Sequence, residues 1–111
     1  MGLFRLYTGS DGQSHIEERT LGSHPALTEP QTAIHVQFRE LPAGTFMDWH
    51  PAPRRQYVII LAGQLEIGFK DGTVRGFGPG DATLAEDITG SGHTTRVVGT
   101  GPAVTAVVPL A

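Results

Sequence analysis

Glycine and proline interrupt this sequence so often that long helices have little room between them. The 111 residues include 15 glycines and 8 prolines, and both residue types favour turns over the interior of a helix. Between the interruptions lie short segments that alternate between apolar and polar residues or are rich in β-branched and aromatic residues. This pattern predicts an all-β fold, a sandwich or barrel of roughly eight to ten short strands.

The segment AIHVQFREL, residues 33–41, is the clearest alternating strand. Ile34, Val36 and Phe38 occupy every second position, with polar side chains between them. Because successive side chains of a strand point to opposite faces, we expect a half-buried strand with these three residues on its apolar face. Further along, Asp71-Gly72 lies between two alternating segments and predicts a tight hairpin.

The chain shows no internal repeat, low-complexity tract or change of composition that would divide it. Its length suits one domain, which we expect to span residues 1–111. We expect the barrel core at residues 32–111, preceded at residues 1–31 by an N-terminal edge strand and a loop. The loop is GSHPALTEPQ, residues 22–31, which has two prolines and no periodicity.

Charge and composition exclude several classes of function. The formal net charge is −3 with acidic and basic residues interspersed, so the basic stripe of a nucleic-acid-binding protein is missing. There are no cysteines, which rules out disulfides and thiolate chemistry. No run approaches the roughly 18 apolar residues of a membrane span, and the N-terminus lacks the pattern of a signal peptide. We expect a cytoplasmic protein without nucleic-acid or membrane partners.

A polar cluster precedes the most apolar strand, in the stretch DWHPAPRRQYVIIL. Strand parity puts Asp48 and His50 on one face of the strand TFMDWH, and Gln56 begins the next strand. The prolines of the intervening PAPRR turn fix backbone dihedral angles and hold that turn rigid. If His50 points into the barrel, Gln56 meets it across the turn. On that next strand one face carries Gln56, Val58 and Ile60.

The same stretch resembles the first motif of the cupin family. The spacing of that motif is reproduced at five positions. Five residues separate Gly44 from His50, one separates His50 from Ala52, three separate Ala52 from Gln56, and six separate Gln56 from Gly63. The motif has a second histidine where this chain has Ala52, and a glutamate where it has Gln56. The spacing is therefore that of a cupin, while two of the usual ligand positions differ.

A looser resemblance to the second cupin motif lies further along the chain. GPGD, residues 78–81, resembles its opening, and Gly90 followed after two residues by His93 resembles its close. The segment between them is slightly longer than in the family. Ile88 stands where proline is usual, and Val97 stands where asparagine is common.

The two motifs span residues 44–97, roughly half of the chain. The two motifs resemble those of small stand-alone bacterial cupins of the RmlC-like type, a subgroup that is mostly uncharacterised. Three further segments share this resemblance: RQYVIILAGQLEI, LAEDITGSGH and GSDGQSHIEE. The resemblance implies a single-domain cupin jelly-roll β-barrel, often a homodimer and often with one divalent metal in the barrel. It implies no particular reaction.

By the same resemblance, the metal-binding positions are His50, Gln56 and His93, and the expected cofactor is one divalent ion of zinc, iron, manganese or nickel. Two imidazoles and an amide lack an anionic ligand, so they would hold such an ion weakly. The alternative is that His50 and His93 are hydrogen-bonding residues of a metal-free pocket.

Further candidates come from residue type. Glu86 and Asp87 precede a turn, and either is a candidate general base if burial raises its pKa. For Asp87, before threonine and glycine, a turn cap is the more common role. An arginine of the PAPRR turn is a candidate anchor for a ligand carboxylate or phosphate, through its planar fork of donors. The predicted catalytic residues are His50, His93 and Glu86. The predicted ligand-binding residues are Gln56, Arg54, Arg55 and Asp48.

Three functions remain open for this sequence. The first, which we favour, is a small-molecule enzyme of isomerase, lyase or dioxygenase-like type, in which the two histidines bind a metal or act as acid and base. The second is a metal-independent module that binds or senses a small ligand. The third is a structural dimer with a degenerate pocket. The outward apolar residues Tyr57, Ile59 and Leu61 favour a homodimer.

Overall fold

Ten β-strands make up nearly all of the regular structure in the computed structural model, which describes residues 2–20, 22 and 28–111. In chain order they are β1 Leu3–Thr8, β2 Ser14–Arg19, β3 Gln37–Leu41, β4 Phe46–His50, β5 Gln56–Ala62, β6 Gln64–Gly68, β7 Val74–Phe77, β8 Ala82–Ala85, β9 His93–Val98 and β10 Ala103–Pro109. The all-β prediction is confirmed. Residues 23–27, half of the predicted loop, lie outside the described residues. Among the helical residues that are described, none belongs to a helix long and apolar enough to cross a membrane.

The strands form two sheets. The larger has the order β2-β1-β8-β5-β10-β3 and the smaller has the order β4-β9-β6-β7. Neighbouring strands are antiparallel except β1 and β8, which are parallel. One apolar cluster joins the inner faces, since it combines Leu6 and Ile60 from the larger sheet with Leu65, Ile67 and Phe77 from the smaller. Burial of apolar surface between two facing layers stabilises this jelly roll.

The N-terminal segment contributes more to the fold than its sequence predicts. β2 is an edge strand, but β1 lies between β2 and β8 inside the larger sheet. Phe4 and Leu6 of β1 belong to the apolar core. The core therefore begins before residue 32, because the parallel partner of β1 is a strand far along the chain, which periodicity alone does not reveal.

The orientation of β3 is opposite to the one that its alternation predicts. The strand begins only at Gln37. Phe38 on it is 70% exposed, and Ile34 and Val36 just before it are 55% and 57% exposed, whereas Arg39 and Leu41 line the space between the sheets. β3 is the last strand of the larger sheet. Alternation determines which residues share a face, but the place of the strand in the sheet decides which face is covered.

A bulge in β4 sets the direction of the side chains at its end. Met47 pairs with Thr95 of β9 and His50 pairs with His93, so β4 advances by three residues while β9 advances by two. The extra residue breaks the alternation within the strand. Met47 and His50 consequently both face the space between the sheets, while Asp48 is exposed. The prediction that Asp48 shares the inner face with His50 is wrong for this reason.

Two motif glycines have backbone conformations that explain their positions. Gly44 has φ +80° in the turn between β3 and β4, and Gly63 has φ +76° between β5 and β6. Glycine adopts this left-handed region without strain. At Gly63 a side chain is also excluded by space, since a Cβ would lie 2.3 Å from the carbonyl oxygen of Pro102.

Candidate functional site

A cavity of about 350 Å³ opens between the two sheets. Its walls are mainly apolar, and the polar side chains in the lining are Arg39, His50, Gln56, Thr83, His93, Thr95 and Thr105. The face predicted for β5 is confirmed, because Gln56, Val58 and Ile60 line the cavity together. The site therefore consists of a few polar groups in a largely apolar space, as is usual for small-molecule sites.

Two histidines lie side by side at this cavity. His50 ends β4, His93 begins β9, and the two residues are directly paired across the ladder. Their ring centroids are 4.7 Å apart, with an angle of 56° between the ring planes. Gln56, at the start of β5 in the other sheet, lines the same cavity. The structure thus brings the His50, Gln56 and His93 side chains to one site.

A buried carboxylate holds His93. Asp87 is 0% exposed and His93 is 6% exposed. Oδ2 of Asp87 accepts hydrogen bonds from Nδ1 of His93 at 2.5 Å and from the hydroxyl of Ser14 at 2.6 Å. An ionised carboxylate only accepts, so this assignment puts the hydrogen on Nδ1 and leaves Nε2 as the free acceptor of the ring. The interpretation of Asp87 as a turn cap missed this role.

The second oxygen of Asp87 also bears on function. Oδ1 is buried and has no hydrogen-bond partner among the described residues. A buried polar atom without a partner costs about 1–3 kcal/mol. A core built for stability alone would be better served by apolar side chains here, so the cluster of Ser14, Asp87 and His93 indicates a functional site.

His50 is held in a similar way by a backbone oxygen. Its Nδ1 lies 2.6 Å from the carbonyl oxygen of Asp48. A carbonyl oxygen only accepts, so Nδ1 of His50 is the donor and Nε2 is again the nitrogen left free. Two imidazoles with defined tautomers therefore stand next to each other at the cavity wall.

Glu86 lies outside the cavity lining and is engaged elsewhere. Its two carboxylate oxygens accept hydrogen bonds from Nε of Arg5 and Nε of Arg55, each at 2.7 Å. Burial by itself would raise the pKa of Glu86, but the hydrogen bonds and charges of the two arginines together outweigh burial and hold that pKa below its usual value. The condition for the predicted general base, a pKa raised by burial, is therefore not met.

The other predicted ligand-binding residues divide in the same way. Arg55 pairs with Glu86, Arg54 is exposed, and neither lines the cavity. Asp48 is exposed, and its carboxylate accepts a hydrogen bond from the next backbone N–H. Of the four residues predicted to bind a ligand, Gln56 is the one that lines the cavity.

The donors at the cavity do not fit a tightly held divalent metal. In both His50 and His93, Nδ1 forms a hydrogen bond to an oxygen and Nε2 is free. Metal-bound imidazoles have the same arrangement, with the free nitrogen binding the metal. The remaining cupin ligand positions in the first motif are Ala52, which has no donor, and neutral Gln56. In residues 2–20, 22 and 28–111, no group of three or more His, Asp or Glu side chains could hold an ion. Two imidazoles and a neutral carboxamide provide three donors but no anionic ligand, so they would hold a divalent ion weakly.

Sequence reasoning missed Arg39 at the cavity and the contact between Ser14 and Asp87 behind it. Ser14 and Asp87 meet because β1 pairs with β2 on one side and with β8 on the other. The only signal for Ser14 was its place in GSDGQSHIEE, a segment that resembles small cupins. For Arg39 the signal was its place on the polar face of AIHVQFREL, which turned out to be the inner face.

Comparison with solved structures shows the same fold in three proteins. A cupin domain from Bordetella pertussis Tohama I matches with a TM-score of 0.55 at 15% identity, over 76% of this chain and 88% of that chain. The Cnp3 cupin domain of Schizosaccharomyces pombe matches with a TM-score of 0.55 at 13% identity, over 100% and 83%. A conserved protein of unknown function from Streptococcus pyogenes matches with a TM-score of 0.50 at 21% identity, over 73% and 68%.

No family model matches the sequence, and no curated protein matches it. The structural likenesses show the fold: this chain has the jelly-roll fold of these cupin domains. The resemblance drawn from the spacing of residues 44–63 is thereby confirmed at the level of the fold. Identities this low carry no activity over to this chain.

Proposed function

We propose that this protein binds a small organic molecule in the cavity and transfers a proton to or from it, in a reaction of the isomerase or lyase type. The observation that carries the proposal is the 2.5 Å contact between Nδ1 of His93 and Oδ2 of Asp87 at the wall of the cavity. A carboxylate in this position fixes the tautomer and orientation of the ring and offsets the charge that the ring gains with a proton. His93 is then the acid–base group, and Asp87 is its positioning residue.

The neighbouring side chains suit proton transfer on a bound molecule. Nε2 of His93 takes the proton from one atom of the ligand and returns the same proton at another atom. The His50 ring, with its centroid 4.7 Å away, offers its free Nε2 as an acceptor for a hydrogen bond from the ligand. The carboxamide of Gln56 offers both a donor and an acceptor, which orient the ligand. The apolar walls exclude water, and exclusion of water strengthens each of these polar interactions.

The size of the cavity supports a ligand-binding role over a purely structural one. Its volume of about 350 Å³ lies within the range of small-molecule sites, which begins at roughly 300 Å³. A structural dimer with a degenerate pocket would fill this space with side chains to reach normal packing density. A module that only binds or senses a ligand fits the cavity too, but it gives no reason for the buried carboxylate behind His93.

Deuterium exchange tests proton transfer before the natural substrate is known. Pyruvate, levulinate and acetone are small enough for the cavity and carry C–H bonds that exchange slowly with solvent. We expect the protein in D₂O to accelerate exchange in at least one of them, measured as loss of the proton NMR signal. His93→Gln removes the acid–base nitrogen and should reduce the acceleration about 100-fold or more. Asp87→Asn should also reduce it, because an amide can stabilise the wrong tautomer of His93.

His35→Gln is the matched control, since His35 is exposed and does not line the cavity. It should leave the exchange rate unchanged, and circular dichroism verifies that all three variants are folded. Exchange no faster than in buffer, or a His93→Gln variant as active as the wild type, would contradict proton transfer. If a ligand still binds in the cavity without exchange, the module that only binds its ligand becomes the better explanation.

A further inference from the structure

We infer that Arg39 is the anchor for a carboxylate, so that the ligand of the cavity is a small monocarboxylate with an apolar body. This inference deepens the proposed function and rests on it for the existence of a ligand. It concerns a residue outside both cupin motifs, since Arg39 precedes Gly44 in the chain.

Arg39 reaches the cavity from the edge of the larger sheet. β3 is the last strand there, and its alternation turns Arg39 and Leu41 toward the cavity while Phe38 points outward. Across the ladder Arg39 pairs with Thr105 of β10, which is buried and lines the same cavity. Arg39 itself is exposed. Its position is therefore the mouth of the cavity, whereas the buried His93 lies deeper.

No carboxylate of the described residues balances the charge of Arg39. All 11 acidic residues belong to the described residues, and none of them forms an ion pair with Arg39 there. Other arginines do have such partners: Arg5, Arg19, Arg55 and Arg75. The described lining of the cavity also contains no Asp or Glu. A ligand that enters the cavity meets a permanent positive charge and no acidic side chain.

One permanent charge favours a singly charged head group. The guanidinium of Arg39 presents parallel N–H donors that match the two oxygens of a carboxylate. A phosphate monoester carries a charge of about −1.5 to −2 at neutral pH, and no second arginine or lysine stands among the described lining residues to balance it. A carboxylate is therefore the better match for this mouth.

The rest of the cavity determines the body of the ligand. Beyond Arg39 the walls are formed mostly by aliphatic side chains from both sheets, together with Phe77. A volume of about 350 Å³ admits only a small body, and apolar walls favour a hydrocarbon one. With its carboxylate at the mouth, the ligand extends toward His50 and His93, where the proposed proton transfer takes place.

Matched acids and amides test the anchor separately from the chemistry. Isovalerate, cyclohexanecarboxylate and benzoate are compared with their primary amides by titration calorimetry, and shifts of cavity resonances in NMR spectra locate the binding. Each acid and its amide share one shape, so the difference in affinity reports the charge. We expect the wild-type protein to bind at least one acid about tenfold or more tightly than its amide. Arg39→Gln should abolish that preference.

Two further variants serve as controls. Arg96→Gln removes a charge from an exposed strand residue outside the cavity and should keep the preference for the acid. Arg54→Gln tests the anchor predicted from the PAPRR turn and should keep the preference as well. Arg39 is exposed, so its substitution should leave the fold intact, which circular dichroism verifies.

Equal affinity for acid and amide, no binding of any acid, or a preference that survives Arg39→Gln would overturn the anchor. A preference lost in Arg54→Gln instead would also overturn it. Binding of these probes requires no proton transfer, so such a result leaves the deuterium-exchange experiment to decide the proposed function. The opposite result is also informative. If the protein does not accelerate deuterium exchange, and if the preference for the acid over the amide is lost only in Arg39→Gln, the anchor is supported and proton transfer is contradicted.

Discussion

Gly92 lies against the backbone of His50 so closely that a Cβ on Gly92 would come within 2.1 Å of both the carbonyl carbon and the carbonyl oxygen of His50. Gly92 also has φ +77° and immediately precedes His93. The end of β4 can approach the start of β9 because no side chain stands between them. The pairing of the two histidines therefore depends on a residue without a side chain.

Gly92→Ala should destabilise the fold and disturb the site together. We expect the free energy of unfolding to fall by about 3 kcal/mol or more, because alanine is strained at positive φ and its methyl group would overlap the His50 backbone. Gly44→Ala is the matched control: Gly44 has φ +80° but nothing lies within 4 Å of an added Cβ. The control should lose about 1 kcal/mol. Urea unfolding measures both losses, and equal losses would contradict the steric role of Gly92.

The cluster of Arg5, Glu86 and Arg55 predicts a pH-dependent contribution to stability. Burial alone would raise the pKa of Glu86, but the two arginines outweigh it, so the folded-state pKa lies below the ordinary pKa of a glutamate carboxyl. A carboxyl group of this kind stabilises the fold above its unfolded-state pKa, and the stabilisation is lost as the pH falls through the lower folded-state pKa. Glu86→Gln should therefore lower the free energy of unfolding by about 1–2 kcal/mol at neutral pH.

Urea unfolding at a series of pH values checks this dependence. The difference between wild type and Glu86→Gln should be full at neutral pH and should shrink as the pH falls below about 4.5. Glu29→Gln, at an exposed position, serves as the control and should change stability little at any pH. If the difference in the free energy of unfolding between wild type and Glu86→Gln stays constant down to acid pH, the ion pairs of Glu86 contribute nothing to stability.

We propose that the outer side of β3 is the contact between two copies of this chain. Phe38 on β3, and Ile34 and Val36 in the segment just before it, are large apolar residues that are more than half exposed, and β3 is an edge strand. An apolar patch on an unpaired edge favours association with another copy, because pairing buries the patch and satisfies the free backbone groups. The sequence had suggested the outward residues of β5 as the contact instead.

Light scattering at micromolar concentration tests this contact. The wild-type protein should be a homodimer, and Phe38→Ser should shift it to the monomer. Val74→Ser is the matched control, since Val74 is a similarly exposed apolar residue on β7, one of the two edge strands of the smaller sheet. It should leave the dimer intact. A wild-type monomer would contradict the homodimer, and a dimeric Phe38→Ser variant would contradict the role of β3.

Metal content follows from the donors at the cavity. Protein purified without a nickel column should contain well under one zinc, iron, manganese or nickel ion per chain, and EDTA should leave its Tm unchanged. Ala52→His combined with Gln56→Glu restores the missing cupin ligands and should create a stoichiometric site. Elemental analysis by mass spectrometry measures both. A stoichiometric metal in the wild type, with a Tm that falls on chelation, would show that His50, Gln56 and His93 suffice.

Turn residues and alternation were enough to predict the strands. The Asp71-Gly72 hairpin joins β6 and β7, with Gly72 at φ +90°, and Gln56 lies on the predicted face of β5. The spacing from Gly44 to Gly63 pointed to the cupin fold through its resemblance to the first cupin motif, and in the structure both glycines occupy left-handed turns. The convergence of His50, Gln56 and His93 followed from this fold, whose two sheets enclose the motif residues.

Local periodicity and turn chemistry thus specified the all-β class and the residues that share a face, because both depend on neighbours along the chain. Pairing between distant strands settled the rest. The bulge against β9 turned Asp48 outward, the edge position of β3 turned Arg39 inward, and the packing of β1 between β2 and β8 joined Ser14 to Asp87. Which face is buried and which charges meet depend on contacts between segments far apart in the chain, and no local pattern encodes them.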